Sequence, residues 1–273
     1  MDKDAYTKMA DVEGRHWWFV ARRKIIRKII ESLGLPRDAK ILEVGCGTGG
    51  NLELLSWFGE VTAVEVDAEA RRIAKERCVG RVVAGQLPDG MDLGGQKFDL
   101  IVLLDVLEHI NDDVGSLVAL KKSLKKEGKI LITVPAWPFL WSEHDEFHHH
   151  VRRYRSGEIR SKVRKAGYKL RYSSYYNTLL FPVVVAVRIR NKILKRGSAV
   201  DDLEVPGKFF NKVIGKIFSA ERFFLPKIKF PIGISIIALA ERNRRGENWP
   251  LTDSGFASLD KSRQAPKGSC LPL

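Results

Sequence analysis

Short apolar runs alternate with segments of helical periodicity through the middle of the chain. The runs predict strands at 40–44, 60–65, 81–84, 98–105 and 128–134. The segments between them predict helices at 51–57, 68–78 and 112–126. Residues 101–104 and 130–132 are continuously apolar, as is typical of strands that are covered on both faces. This alternation predicts a parallel sheet between two layers of helices.

The segments outside this alternation divide the rest of the chain. Ser156 and Gly167 bracket a further predicted helix, and a strand of alternating character follows at 168–176. Two apolar and basic helices are predicted at 179–194 and 209–224, and a buried strand at 232–240. The predicted units are an N-terminal helical cap (1–36), the core (37–177), a basic and apolar helical insertion (178–229), the last core strand (230–242) and a disordered tail (243–273).

Glycines alternate in the turn after the first predicted strand, at Gly45, Gly47 and Gly49. Glycine allows a positive φ in a tight turn, and without a Cβ it lets a ligand approach the backbone. Gly45, Gly47 and Gly50 also satisfy the dinucleotide-binding pattern, so the glycines alone leave two cofactor classes open. The acid Glu43 distinguishes the two classes, because it would repel a pyrophosphate but can pair with the ammonium group of S-adenosylmethionine.

Polar residues also end the second and fourth predicted strands. Glu65 can accept hydrogen bonds from ribose hydroxyls, a role that both cofactor classes require. Asp105, Glu108 and His109 follow a buried strand at the sheet edge where ligands bind. His109 is a candidate general base near pH 7, and a purely structural role for Glu108 and His109 remains open.

Taken together, these motifs resemble a known family. The segments 43–49 (EVGCGTG) and 98–109 (FDLIVLLDVLEH), with Glu65, are similar to the class I S-adenosylmethionine-dependent methyltransferases, in the branch that includes quinone-biosynthesis methyltransferases. The resemblance covers roughly residues 38–176. It implies a Rossmann-like α/β fold: a seven-stranded, mostly parallel sheet with helices on both faces, an antiparallel last strand and, in this chain, a helical insertion before that strand.

The same resemblance implies roles for individual residues. The methionine part of the cofactor would be held by Glu43, Gly45, Cys46, Gly47 and Gly49, the ribose by Glu65, and the region beside the sulfonium by Asp105. Where the family often has an acid for the adenine amine, this chain has Gln86.

The loop 136–155 is rich in aromatic, histidine and basic residues. We expect it to contact the acceptor through Trp137, Trp141, His148, Arg152 and Arg153, and His144 is a second candidate base. Glu108-His109 with distal histidines is also similar to magnesium-dependent methyltransferases that act on the terminal ribose of small RNAs. Because three adjacent histidines cannot all face one site from a regular strand, no metal site is predicted.

Charge is distributed unevenly along the chain. The formal net charge is +14, and residues 146–273 hold 26 Lys and Arg against 10 Asp and Glu. The charge of this half favours an anionic partner, although a merely solvated basic face remains open. The insertion 178–229 would suit an anionic membrane surface, and a lid or a dimer interface remains open as its role. The odd, scattered set Cys46, Cys78 and Cys270, without visible leader or membrane span, predicts a cytoplasmic protein that can lie peripherally on the inner face of the membrane.

The leading functional prediction is methyl transfer from S-adenosylmethionine, in line, to oxygen of a small or lipid-linked acceptor. Nucleic acid is a less favoured partner, because no separate RNA-binding module is visible. The alternatives are an RNA methyltransferase, a nicotinamide-dependent oxidoreductase and a non-catalytic cofactor-binding protein. The identity of the acceptor and the oligomeric state lie beyond the sequence.

Overall fold

A seven-stranded sheet forms the centre of the computed structural model, which describes residues 3–193, 204–225 and 227–243. The strands are β1 (Lys40–Val44), β2 (Glu60–Glu65), β3 (Arg81–Ala84), β4 (Phe98–Leu104), β5 (Leu124–Pro135), β6 (Tyr168–Tyr176) and β7 (Ser235–Arg242). Their order is β3-β2-β1-β4-β5-β7-β6. The last strand, β7, is antiparallel to both of its neighbours, and all pairings among the first five strands are parallel. The predicted Rossmann-like sheet with an antiparallel last strand is confirmed.

Helices cover both faces of the sheet. They are α1 (Lys3–Val12), α2 (Trp17–Glu31), α3 (Leu52–Ser56), α4 (Ala68–Glu76), α5 (Asp113–Lys121), α6 (Glu143–Phe147), α7 (Ser156–Lys165), α8 (Phe181–Ile193) and α9 (Lys208–Ala220). Side chains of α2, α3, α4 and α9 pack in one buried cluster, and those of α5 and α7 pack in another. Successive residues of β4 point into alternate clusters, for example Ile101 and Val102. The continuously apolar run is therefore explained by burial on both faces.

Several predicted boundaries differ from the structure. The predicted helix 112–126 is too long, because α5 ends at Lys121 and the chain has already entered β5 at Leu124. Leu124 is buried and pairs with Phe98 across a register shift, so tertiary packing outweighs the helical propensity of the lysine-rich segment. β4 ends at Leu104, and Asp105 has left the strand with a φ of 60°.

The two insertion helices α8 and α9 lie in the connection between β6 and β7. α9 packs against α2 through the buried side chain of Phe218. The Asn211 side chain of α9 also accepts a 2.8 Å hydrogen bond from the Trp17 backbone N–H. The end of the predicted helix at Leu194 and nearly all of the predicted tail, from residue 244, lie outside the described residues. None of the helices in the described ranges is long and apolar enough to cross a membrane.

Candidate functional site

The glycine turn lies at the carboxyl end of β1. Backbone N–H groups of Gly45 and Cys46 donate to the Val64 carbonyl oxygen at 2.8 and 3.1 Å, which fixes the turn against β2. Gly45 and Gly47 have φ values of 69° and 55°, in the left-handed region. A Cβ on Gly45 would lie 2.8 Å from a methyl group of Val106, whereas a Cβ on Gly47 would meet nothing within 4 Å. Gly47 thus presents bare backbone to an open space that a ligand can occupy.

Glu43 lies beneath this turn with only 1% of its surface exposed. One carboxylate oxygen, Oε1, accepts a 2.9 Å hydrogen bond from the Asn51 side chain, and the other, Oε2, is buried without a partner. Burial raises the pKa of this carboxyl group to about 7, against the opposing influence of Asn51 and Arg22. A buried acid with an unsatisfied oxygen can accept a cationic ligand group, and the ammonium of S-adenosylmethionine fits it.

Glu65 closes β2 on the other side of the turn. Its Oε2 accepts from the Gly47 N–H at 2.7 Å and its Oε1 from the Asp67 N–H at 2.9 Å, so the carboxylate is held rigidly beside the glycine backbone. A pocket of about 380 Å³ adjoins it, lined by Val66, Ala84, Gly85, Gln86, Asp89 and Gly90. Gln86 therefore lines a space suited to an adenine ring next to the predicted ribose site. Asp89, which is not among the residues predicted for the site, adds a carboxylate to this lining.

Asp105 follows β4, next to β1 in the sheet. Its left-handed backbone is stabilised by a 3.0 Å hydrogen bond from its N–H to the Thr133 carbonyl oxygen. Its Oδ1 accepts from the Thr133 hydroxyl at 3.1 Å, and its Oδ2 lies 2.6 Å from the Arg22 guanidinium. Arg22 comes from α2 and is 5% exposed. Asp105 therefore enters the site already paired with a cation from the N-terminal helices.

The N-terminal helices also close over the glycine turn. Glu13, directly after α1, accepts from the Thr48 hydroxyl at 3.0 Å and forms an ion pair with Arg77. A Cβ on Gly50 would lie 2.0 Å from the Glu13 carboxylate. The region predicted as a cap thus contacts the cofactor loop directly.

Histidines from two segments meet beyond the end of β4. His109 lies in a single 3₁₀ turn, Leu107–His109, and its ring centroid is 4.7 Å from that of His150. His144 and His148 lie 5.9 and 6.0 Å from His150 by the same measure. Desolvation and the neighbouring His150 lower the pKa of His109 to about 4, so its ring is neutral at pH 7. Both candidate bases, His109 and His144, belong to this one cluster.

A buried aspartate, Asp145, organises the loop that carries these histidines. Its Oδ1 binds His150 Nδ1 at 2.8 Å and Arg153 Nε at 2.7 Å. Arg152 instead pairs with Asp113 at 2.8 Å. The sequence predicts that both arginines contact the acceptor and that one of them engages an anionic group. In the structure each guanidinium has a carboxylate partner within the protein, and these ion pairs anchor the loop.

The two predicted acceptor-binding tryptophans differ in their surroundings. Trp137 has a φ of 62°, stacks on Tyr175 at 4.9 Å and donates its indole N–H to the Gly233 carbonyl oxygen at 2.8 Å. Its strained backbone is held by contacts to both β6 and the segment before β7. Trp141 is 39% exposed, and its indole nitrogen lies 3.4 Å from Glu146 Oε1.

The structure thus forms one region from Glu43, the glycine turn, Glu65, Gln86 and Asp105, and a second from the histidines. The residues predicted for the site do not include Arg22. Its signal was present, because Arg22 lies three, four and seven positions before Ile25, Ile26 and Ile29 and so shares the buried face of α2. A charged residue on an apolar face indicates a partner in the interior.

Sequence comparisons agree with this geometry. A family model described as a methyltransferase domain matches residues 17–173, more than half of the chain. Cyclopropane-fatty-acyl-phospholipid synthase of Escherichia coli strain K12 is 34% identical over 117 residues, which cover 41% of this chain and 30% of that protein. A ubiquinone biosynthesis O-methyltransferase of Haemophilus ducreyi is 29% identical over 104 residues, 34% of this chain and 44% of that protein. The chain spans less than half the length of these curated relatives.

Solved structures share the fold. A SAM-dependent methyltransferase from Thermotoga maritima aligns with a TM-score of 0.54 at 17% identity, covering 83% of this chain and 93% of that one. Phosphoethanolamine N-methyltransferase 2 of Haemonchus contortus, in complex with S-adenosyl-L-methionine, aligns with a TM-score of 0.52 at 17% identity, covering 79% and 51%. The chain belongs to the methyltransferase domain family.

Proposed function

We propose that this protein is a class I S-adenosylmethionine-dependent methyltransferase that transfers the methyl group to a hydroxyl oxygen of a small or lipid-linked acceptor, and that it does so in the cytoplasm at an anionic membrane surface. The observation that carries the proposal is the combination of a histidine cluster beside the cofactor edge with an exposed apolar and basic face on α8 and α9. The first suits an acceptor that must lose a proton, and the second suits one that is anchored in lipid.

The donor side is held by the residues around the glycine turn. Glu43 Oε2 would accept the ammonium group, Glu65 the ribose hydroxyls, and Gln86 with Asp89 would line the adenine. When bound, S-adenosylmethionine supplies an electrophilic methyl group on a sulfonium. The rigid turn and the Asp105–Arg22 pair would help to orient the donor relative to an acceptor, and alignment is the main source of acceleration in such a displacement.

The acceptor side would lie between His109 and Trp137, at the ends of β4 and β5. Either His109 or His144 could accept the hydroxyl proton there. Trp137 and Tyr175, stacked with an interplanar angle of 4°, offer an aromatic wall for a ring or an apolar chain.

The outer face of α9 has two parallel stripes. Phe210, Val213 and Ile217, spaced three and four residues apart, are 65, 36 and 40% exposed, and Phe209 beside them is 74% exposed. Exposed lysines at 208, 212 and 216 run alongside. A helix that presents apolar side chains next to cations is suited to the boundary between lipid headgroups and acyl chains.

Helix α8 also exposes apolar side chains. Leu179, just before it, and Val183 and Val187 within it are 50, 61 and 41% exposed. The names of two relatives support the proposal: one is a cyclopropane-fatty-acyl-phospholipid synthase and the other a ubiquinone biosynthesis O-methyltransferase.

A labelling experiment tests the reaction. The purified chain is incubated with methyl-tritiated S-adenosylmethionine and, separately, with a total lipid extract, a small-metabolite extract and total RNA. We expect label in the lipid or small-metabolite fraction, with an O-methyl group identified by mass spectrometry. Label confined to RNA, or a product methylated at nitrogen or carbon, would contradict the proposed acceptor class.

Vesicle sedimentation tests the membrane surface. Because burying an exposed phenylalanine contributes about 1.5–3 kcal/mol, replacing both Phe209 and Phe210 by serine should lower the partition coefficient on phosphatidylglycerol-containing vesicles by more than tenfold. Wild-type binding should also weaken as salt is added and on pure phosphatidylcholine. Val118→Ser, which removes a 43% exposed apolar side chain on α5, is the matched control and should bind like the wild type. Unchanged sedimentation of the double variant would refute the proposed face.

A further inference from the structure

A carboxylate lies behind the ring of His150 in the histidine cluster. The Nδ1 atom of His150 is 2.8 Å from Oδ1 of Asp145, whose side chain is fully buried, with 0% exposure. We propose that His150 is the general base that removes the hydroxyl proton of the acceptor, and that Asp145 is its positioning residue. This inference rests on the proposed methyl transfer to oxygen.

Asp145 is held as an ionised partner for the imidazole. Its Oδ1 accepts from Arg153 Nε at 2.7 Å, and its Oδ2 accepts from the Ser142 N–H at 2.9 Å. Burial opposes ionisation, but hydrogen bonds from His150 and Arg153 outweigh it and lower the pKa of Asp145 below its usual value. The carboxylate is therefore charged at pH 7 and is fixed in one orientation toward the ring.

The contact with Asp145 also determines the tautomer of His150. An ionised carboxylate can only accept a hydrogen bond, so the proton of the neutral ring lies on Nδ1 and the lone pair lies on Nε2. The His150 side chain is 8% exposed, so its packing and this hydrogen bond set the orientation of the ring. The same carboxylate would stabilise the imidazolium that forms when Nε2 takes a proton. A base oriented by a third group in this way is typical of general-base sites.

His150 lies against the turn after β4, at the cofactor edge of the sheet. Its ring centroid is 4.7 Å from that of His109, and the Val151 N–H donates to the Glu108 carbonyl oxygen at 2.7 Å. A side-chain oxygen of Glu108 lies within 4.8 Å of one ring nitrogen of each histidine. Burial and the negative charge of Asp105 raise the pKa of Glu108 above its usual value, so Asp105 at the cofactor region is within electrostatic reach of this turn.

The neighbouring candidate His109 is poorly suited to the same role. Burial and the nearby His150 lower the pKa of His109 to about 4, and a general base acts best when its pKa lies near the working pH. The rings of His144 and His148 lie 5.9 and 6.0 Å from that of His150 between centroids. Because these groups and Glu108 surround His150, a pKa seen in a rate profile belongs to the coupled cluster.

Proton and electrons balance in a single displacement. The acceptor hydroxyl gives its proton to Nε2 of His150 while its oxygen bonds to the methyl carbon. The carbon–sulfur bond breaks, its electron pair stays on sulfur, and S-adenosylhomocysteine is the second product. The imidazolium, which Asp145 stabilises, then releases its proton to solvent.

Nuclear magnetic resonance of the full chain tests the base without cofactor or acceptor. In two-bond proton–nitrogen spectra of protein labelled with ¹⁵N-histidine, the ring signal that disappears in His150→Gln identifies His150. We expect a neutral ring at pH 8 with its proton on Nδ1, and a charged ring at low pH. A proton on Nε2 instead, or a ring that is still charged at pH 8, would overturn the proposal.

Initial rates of labelled methyl transfer to the lipid and small-metabolite extracts give the second test. At pH 8, His150→Gln should lower the rate by about 10²–10⁴-fold and leave the apparent KM for S-adenosylmethionine unchanged. The wild-type rate should fall at low pH as His150 takes a proton, and the variant should lack this fall. His149→Asn is the control and should react like the wild type, because His149 is exposed and asparagine tolerates its φ of 55°.

The positioning role of Asp145 is tested by the same pH profile. With rates normalised to the folded fraction measured by circular dichroism, Asp145→Asn should lower the rate and move its fall to lower pH, because the imidazolium loses its charged partner. An unmoved profile would refute the positioning role, and a wild-type rate and profile in His150→Gln would refute the base. If no extract takes label, the proposed function fails instead, and the spectra still report the tautomer and charge of His150.

Discussion

Replacing Glu43 by glutamine isolates one buried charge at the cofactor site. Glutamine keeps the oxygen that accepts from Asn51 and removes the negative charge whose second oxygen has no partner. The folded-state pKa of Glu43 is raised from 4.5 to about 7, so the folded protein holds a proton that the unfolded chain releases. At about 1.36 kcal/mol per pH unit, this group should lower the free energy of unfolding by about 3 kcal/mol as the pH rises from 4.5 to above 7. The variant should lack that loss and be more stable than the wild type at pH 8.

Cofactor binding should change in the opposite direction. A hydrogen bond to a charged group contributes about 1.5–3 kcal/mol, so we expect Glu43→Gln to bind S-adenosylhomocysteine about 10- to 100-fold more weakly at pH 8. Below about pH 7 the wild type should lose affinity for S-adenosylhomocysteine as Glu43 becomes protonated. The affinity of the variant should depend less on pH, because glutamine does not titrate.

Urea denaturation at pH 5, 6.5 and 8, together with calorimetric titration of S-adenosylhomocysteine, measures both effects. Glu60→Gln, at the exposed start of β2, is the control and should leave both quantities unchanged. The reasoning would be refuted by wild-type affinity in Glu43→Gln. Equal pH dependence of unfolding in the variant and the wild type would refute it as well.

Three further substitutions test the framework around the site by urea denaturation. Asp145→Asn breaks a buried ion pair and should cost about 3–5 kcal/mol of unfolding free energy, whereas Glu146→Gln next to it, at an exposed position, should cost almost nothing. Tyr154→Phe removes a hydroxyl that donates to a carbonyl oxygen and to a carboxylate, and should cost about 1–2 kcal/mol; no loss would mean that these hydrogen bonds do not form. The Glu221 carboxylate accepts hydrogen bonds from three backbone N–H groups, and Glu221→Gln would place an amide N–H against one of them. We expect this change to lower the free energy of unfolding by about 2–3 kcal/mol; wild-type stability would show that the insertion is not anchored there.

The sequence by itself determined the sheet and its cofactor edge. Strands buried on both faces need continuous apolar runs, and a tight turn at positive φ needs glycine, so both leave local marks in the chain. The positions of Glu43, Gly47 and Glu65 could therefore be read from spacing alone. The lysine-rich start of β5 has a helical pattern in the sequence, because its strand pairing with Phe98 is a long-range contact.

Only the tertiary structure decided which distant residues meet. Arg22 pairs with Asp105, 83 positions away, and Glu108 approaches His150 across the turn after β4, and no local pattern encodes either contact. The same holds for Arg153, whose sequence neighbours suggested an anionic acceptor but whose guanidinium binds the buried Asp145. From local sequence alone, a charged side chain in a loop could pair with many different groups. Its actual partner is the oppositely charged group that the packed core places within hydrogen-bond distance and shields from water.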